Sequence, residues 1–206
     1  MSDYDILADE EKINKVVEGL AGRGVEGIVV NNRLEALEKI KSLITAGASV
    51  MNGSSRTLEE IGYIEYLRGG QHGWNNLHQA VLAEKDPTKQ AILRKQSVIS
   101  DYYLGSVHAI TEDGEMVIAS NSGSQLPHIV FTSPNIIFVV STKKIVPTLA
   151  EAMKRLEDHV ASLEDKNIMS KFNVHTMLSK IVIFRRENPR MGRKVRMILV
   201  KENLGF

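Results

Sequence analysis

Three short stretches of this chain carry residue types that can hold or transform a small anion. Gly53-Ser54-Ser55 sits between the apolar run Ala48–Met51 and Thr57-Leu58-Glu59-Glu60. A loop between a strand and the start of a helix offers free N–H groups and a positive helix end, the physics of a phosphate or carboxylate site. Thr57 belongs to the same start, where its hydroxyl and the Glu60 carboxylate have the spacing of a capping box, and the helix is expected to run to about Arg68. Local sequence leaves a second reading open, in which Ser54, Ser55 and Thr57 only cap that helix. Neither nucleotide-binding spacing, G-x-x-x-x-G-K-S/T or G-x-G-x-x-G, surrounds this loop.

Ser122-Gly123-Ser124, followed by Gln125-Leu126-Pro127, makes a second small polar loop. Its backbone amides can close around an anion, although a plain surface turn has the same composition. Thr111-Glu112-Asp113-Gly114 places two carboxylates at the tip of an expected hairpin. Asp113 suits the turn itself, since Asp tolerates the positive φ such hairpins require, which leaves Glu112 as the candidate nucleophile or general base. Gly114 completes the turn, and His108, four residues before Glu112, is placed to line the same cleft. Acidic residues also occupy turns for reasons unrelated to catalysis.

No metal is assigned, because His72 with His78 and His108 with His128 show no recognised ligand spacing. The chain has no cysteine, which excludes disulfides, thiolate zinc sites, cysteine nucleophiles and an iron–sulfur cluster held by its own thiolates. The cofactor is unknown, and electrons, if any move, need a separate subunit. Arg185, Arg186, Arg190, Arg193 and Lys194 crowd one ten-residue stretch. It reads as a solvated hairpin connection, or as a dock for an acidic partner. No aromatics interleave these charges and the net charge is only +1, so nucleic acid is not an expected partner.

The elements that must position these groups alternate through the first half. A helical stretch near Asp9–Ala21, an apolar run Val25–Val30, an amphipathic stretch Arg33–Ile44 and the run Ala48–Met51 predict parallel crossover units. A helical insert occupies about residues 69–100, with a loop at His72–Asn76 and a division near Asp86-Pro87. From Asp101 the pattern turns strand-rich: Tyr102–Ile110 and Glu115–Ala119 read as a hairpin, and Ile136–Val140 as a strand buried on both faces. Pro147–Leu163 is helical, and Lys180–Arg185 and Val195–Val200 are two last strands. Residues 1–206 read as one domain, since nothing marks a linker. The acidic start Met1-Ser2-Asp3-Tyr4-Asp5 lacks a signal-peptide pattern and no apolar run spans a bilayer, so no membrane is expected and the cytoplasm is the expected address.

Taken together, Asn52-Gly53-Ser54-Ser55-Arg56-Thr57-Leu58-Glu59-Glu60-Ile61-Gly62, Ser100-Asp101-Tyr102-Tyr103-Leu104-Gly105-Ser106, Ala109-Ile110-Thr111-Glu112-Asp113-Gly114-Glu115 and Ile137–Val146 resemble the lactate-utilisation (LUD) domain family. The likeness covers most of residues 9 to 202. It implies an α/β fold of the NagB/RpiA/CoA-transferase-like group, three-layer α/β/α with a central, mainly parallel sheet. It also implies an accessory or substrate-binding subunit in the oxidation of lactate to pyruvate, with a small anionic metabolite as ligand, iron–sulfur or flavin redox subunits as partners, and a homodimer as the default assembly. CoA transferases of the wider group carry a nucleophilic Glu near a Glu-x-Gly turn, which Glu112 and Gly114 match; that alternative is an enzyme acting on a CoA ester or phosphorylated small molecule. A protein-interaction module is the third reading, with the basic stretch and the helical insert as docking surfaces. Where related chains tend to show Asp-Gly-x-Gly-Asn-Arg, this one has Ser120-Asn121-Ser122-Gly123-Ser124-Gln125, which implies a changed ligand or a weakened activity if those positions bind substrate.

Overall fold

The computed structural model describes residues 3–206, so Met1 and Ser2 of the acidic start lie outside the described residues. Six parallel strands form the central sheet, in the order β1 (Val25–Val30), β10 (Lys194–Val200), β7 (Asn135–Ser141), β4 (Tyr102–Gly105), β2 (Ser49–Asn52) and β3 (Asn75–Asn76). Side chains of a strand alternate between faces, and in β7 both faces are dry. Ile136, Phe138 and Val140 of β7 enter one core cluster while Ile137 and Val139 enter the other. That double burial is why the run is apolar without interruption.

One face is covered by α2 (Arg33–Leu43), α3 (Arg56–Glu60) and α4 (Tyr63–Arg68), whose Ile40, Leu58, Tyr63 and Leu67 pack with Val50, Leu104 and Ile198. The other face meets α1 (Glu10–Gly22) and a small second sheet in the order β8 (Ile145–Val146), β5 (Ala109–Thr111), β6 (Met116–Ser120) and β9 (Lys180–Phe184). The outer side of that small sheet is closed by α7 (Leu149–Arg155), which runs through a π-helical stretch, Leu156–Val160, into α8 (Ala161–Phe172). The result is the expected three-layer α/β/α arrangement, with the small sheet inserted beneath one helical layer. Between β3 and β4 the chain forms α5 (Leu77–Ala83) and α6 (Pro87–Gln96), with Asp86 capping α6 through Thr88 and Lys89 N–H and Pro87 in its first turn.

Four local expectations need correction. The helix start belongs to Ser55, whose hydroxyl accepts from Leu58 N–H at 3.3 Å, and not to Thr57, which is buried with its hydroxyl turned inward. The helix does not run unbroken to Arg68, because Gly62 adopts φ +80° and separates α3 from α4. Tyr102–Ile110 is not one strand: β4 ends at Gly105 in the central sheet and β5 begins at Ala109 in the small one. The basic stretch Arg185–Lys194 is not a hairpin connection, since β9 and β10 lie in different sheets.

The β5–β6 hairpin packs its tip, backbone to backbone, on α1. A Cβ added at Gly19 would lie 2.4 Å from the carbonyl carbon of Asp113, and one added at Gly114, where φ is +92°, would lie 2.8 Å from Leu20 N. Gly114, and not Asp113, carries the left-handed conformation of the turn. Arg23 then fastens the tip, donating Nε to Asp113 O at 2.7 Å and Nη1 to Arg185 O at 2.8 Å. Gly19→Ala therefore sets two effects against each other. Helix propensity favours alanine by up to about 1 kcal/mol, whereas overpacking against a fixed backbone costs about 1–3 kcal/mol. The clash is with main chain rather than a flexible side chain, so a net loss of stability is expected in urea unfolding. An unchanged or raised midpoint would contradict the close approach.

Candidate functional site

Loops leaving the carboxyl ends of β2, β4 and β7 converge on one crevice, the position at which open parallel sheets present their ligand-binding groups. Gly53-Ser54-Ser55 follows β2, Ser106-Val107-His108 follows β4, and Thr142–Lys144 follows β7 as a single 3-10 turn. An inner cavity of about 80 Å³ is bounded by Ser54, Ser55, Thr57, Ser106, Lys144 and Glu164, among others. It adjoins an outer one of about 350 Å³ bounded by Asn121, Ser122, Ser124 and His175, and the two share Ser54, His108, Gln125, Val160 and Glu164.

Lys144 is the chemical centre of the inner cavity. It is 4% exposed, and its Nζ donates to Thr57 Oγ1, Ser106 Oγ and the Val107 carbonyl, each at 3.2 Å. Its neighbour Lys143 is paired with Asp5 at 3.1 Å, but among the described residues no carboxylate stands within ion-pair distance of Lys144. Burial, reinforced by the charges of Arg155 and Lys143, holds the Lys144 amine well below the ordinary lysine range. The opposing pull of Glu60 and Glu164 does not offset it.

His108 and Gln125, on the wall around it, are neutral and oriented. His108 Nδ1 accepts the Ala119 N–H at 3.0 Å, so the ring proton belongs on Nε2. Burial, and then Lys144 and Arg155, push His108 down to about 3, leaving it an uncharged donor at any physiological pH. Gln125 donates Nε2 to the Ala119 carbonyl at 2.9 Å and accepts from Tyr103 Oη at 3.1 Å, which fixes its amide. Gly53 is required there, since a Cβ would lie 2.7 Å from Tyr103 Oη and 2.9 Å from Gln125 Oε1. Glu164, on α8, has its carboxyl raised by burial and accepts from Asn167 Nδ2 at 3.2 Å. Among the described residues no group of three or more His, Asp or Glu side chains is placed to hold a metal ion.

A sequence profile of the LUD domain matches residues 13–190, most of the chain. The chain belongs to the LUD domain family. That makes it, in the broad sense, a lactate-utilisation-related protein. This LUD domain also superposes on the crystal structure of a DUF162 family protein from Deinococcus radiodurans, with a TM-score of 0.55 and 13% identity, over 95% of this chain and 98% of that one. At that identity the likeness is one of fold. No curated protein matches the chain. No helix among the described residues of the LUD domain is long and apolar enough to cross a membrane.

The LUD domain gathers Gly53, Ser54, Ser55, Thr57, His108, Ser122, Ser124 and Gln125 around the two cavities. Gly123 belongs to the same loop, where its φ is +83° and the lack of a Cβ leaves room for Lys180. Glu112 and Gly114 are not brought there: Glu112 lies 4.0 Å from Lys15 of α1 and lines neither cavity, because the hairpin tip is held by α1. Lys144, Ser106 and Glu164 escape the sequence reading. The usable signal was Lys143-Lys144, directly after a strand buried on both faces, where a parallel strand delivers its next residues to the crevice.

The lowered Lys144 fixes a pH dependence. Between its folded value and the ordinary lysine value near 10.5, the unfolded chain holds more protons than the folded one, so this residue makes stability rise with pH in that window. Lys144→Met removes the group and keeps the bulk. The variant is expected to match or exceed the native chain at pH 7, with the difference shifting in favour of the native chain as pH approaches 10. A loss of more than about 3 kcal/mol at every pH, the size expected when a buried charge loses its partner, would contradict this account.

Proposed function

We propose that this LUD domain binds a small organic anion at the carboxyl ends of β2, β4 and β7, as a substrate-binding or accessory subunit in the oxidation of lactate to pyruvate. The observation that carries the reading is Lys144: a buried amine with no carboxylate partner among the described residues, facing a cavity whose other cation, Arg56, is already paired with Glu59 and Glu60. A carboxylate arriving there supplies the missing countercharge and draws a proton onto Nζ, since an opposite charge favours the ammonium form. Ser54 and Ser55 offer hydroxyls, and His108 offers Nε2–H. With no cysteine in the chain, electrons from a bound hydroxy acid pass to iron–sulfur or flavin subunits in this reading. The alternative in which Glu112 attacks a CoA ester lacks the support of placement, because Glu112 stands outside both cavities.

A second reading, docking of a partner protein, is favoured by the apolar side chains that α5, α6 and the following turn leave in solvent: Leu82, Ile92 and Ile99. It predicts co-purification with a redox subunit, and loss of that association in Ile92→Asp with Ile99→Asp.

Calorimetry with lactate, pyruvate, inorganic phosphate and a CoA ester, repeated in buffers of different ionisation enthalpy, tests the anion reading. One small anion is expected to bind with net proton uptake in the pH window between the free and the liganded titrations of Lys144, and to stabilise by about 2.7 kcal/mol at a hundredfold excess over its Kd. Lys144→Met and Ser54→Ala are expected to weaken it at least tenfold. Absence of binding by every anion in the set, in correctly folded protein, would sink the reading.

A further inference from the structure

We infer that Lys144 forms a reversible imine with a small oxo-carboxylate, so that the inner cavity recognises its ligand through a carbonyl carbon as well as a negative charge. The inference rests on the anion-binding reading above and adds the carbonyl to it.

Lys144 is the one primary amine lining either cavity among the described residues. Its three partners are two hydroxyls and a backbone carbonyl, all at 3.2 Å; the unprotonated amine donates to two of them and accepts from one hydroxyl, contacts at the long end of the hydrogen-bond range and exchangeable for a ligand. An amine attacks carbon only through its lone pair, so a nucleophilic lysine must be unprotonated when the substrate arrives. Removal from water and the presence of other cations are the two devices that produce this state, and both are built here: the side chain is buried, and Arg155 and Lys143 act on it. A lysine meant only as a fixed positive charge would be better served by a carboxylate partner and contact with solvent.

The step balances within the site. The Nζ lone pair forms a bond to the carbonyl carbon while the carbonyl oxygen takes up a proton, giving a carbinolamine. Loss of that hydroxyl as water then forms the carbon–nitrogen double bond. Amine, carbonyl compound and one proton give iminium and water, with no electron transferred. Glu164 lines the same cavity with its carboxyl biased towards the protonated form, and is the acid available to the leaving hydroxyl. Charge selects the ligand. Arg56, the other strong cation on the inner wall, is already engaged by Glu60 at 2.7 Å and Glu59 at 3.4 Å. Once Glu164 has regained its proton from solvent, the iminium carries one positive charge without a partner, which the ligand's own carboxylate neutralises. A hydroxy acid of the same size satisfies the charge but offers no carbonyl.

The test treats the full chain with pyruvate and sodium borohydride, which reduces an imine to a stable secondary amine, and maps the adduct by peptide mass spectrometry. Calorimetry with pyruvate and with lactate runs in parallel. The expected result is one pyruvate-dependent adduct on the peptide containing Lys144, absent with lactate and absent in Lys144→Arg. Mapping in the native chain decides the matter even if that variant fails to fold. Binding of both anions without an adduct overturns the imine and leaves the anion reading standing. Adducts scattered over surface lysines and unchanged in Lys144→Arg overturn it as well. If neither anion binds and Lys144 stays unmodified, both readings fail together.

Discussion

Taking a lysine out of water costs several kcal/mol unless a countercharge or a set of acceptors travels with it. This chain pays that cost at the point where three strand ends meet. Lys144 is held by Thr57, Ser106 and Val107, one acceptor from the first turn of the helix that follows β2 and two from the loop after β4, while the residue itself follows β7. Those three strands are neighbours in the sheet only because β2, β4 and β7 pair in parallel and in register, Asn52 with Leu104 and Gly105 with Phe138. The amine thus ties the sheet's connectivity to the chemistry of the crevice. The neutral His108 follows from burial in the same place and from its nearness to Lys144.

The small second sheet gives the crevice its far wall. Parallel sheets in this architecture usually meet helices on both faces, but here β5 and β6 intervene and carry the Ala119 backbone against His108 and Gln125. Ala119 N–H fixes the tautomer of one and the Ala119 carbonyl fixes the amide of the other, so a single strand residue orients two cavity side chains. The hairpin that supplies it is located by α1, through the close approach of Gly19 to Asp113 and the reach of Arg23. The carboxylates at the hairpin tip serve that anchorage: Asp113 pairs with Arg23 at 2.5 Å, and Glu115 with Arg185 at 2.6 Å.

What could be read in the sequence follows the range of the interactions involved. Ile136–Val140 reads as a strand because burial on two faces leaves no polar position, and Val25–Val30 because its valines and isoleucine favour a strand even though Glu26 is exposed. The loop Gly53–Ser55 and the loop around Ser122–Gln125 were legible as small polar breaks at strand ends, and the fold does bring them to one place. Glu112 was misplaced because its position depends on α1, some ninety residues earlier, as the Arg23 to Asp113 bond shows. Thr57 has the sequence pattern of a cap because its hydroxyl partner, Lys144, is 87 residues away, while the true cap, Ser55, lies two positions earlier. Lys144 has a local signal only in its place directly after a strand buried on both faces; its partners Thr57 and Ser106 lie 87 and 38 residues away, beyond the reach of a local pattern.

The most direct test of the account is a nuclear magnetic resonance titration of the Lys144 side chain, assigned by its loss in Lys144→Met, with and without saturating pyruvate or lactate. The account predicts a midpoint well below 10.5 in the free protein and an upward move when a carboxylate occupies the cavity without forming an imine. A midpoint at the ordinary lysine value, unmoved by either anion, would contradict it.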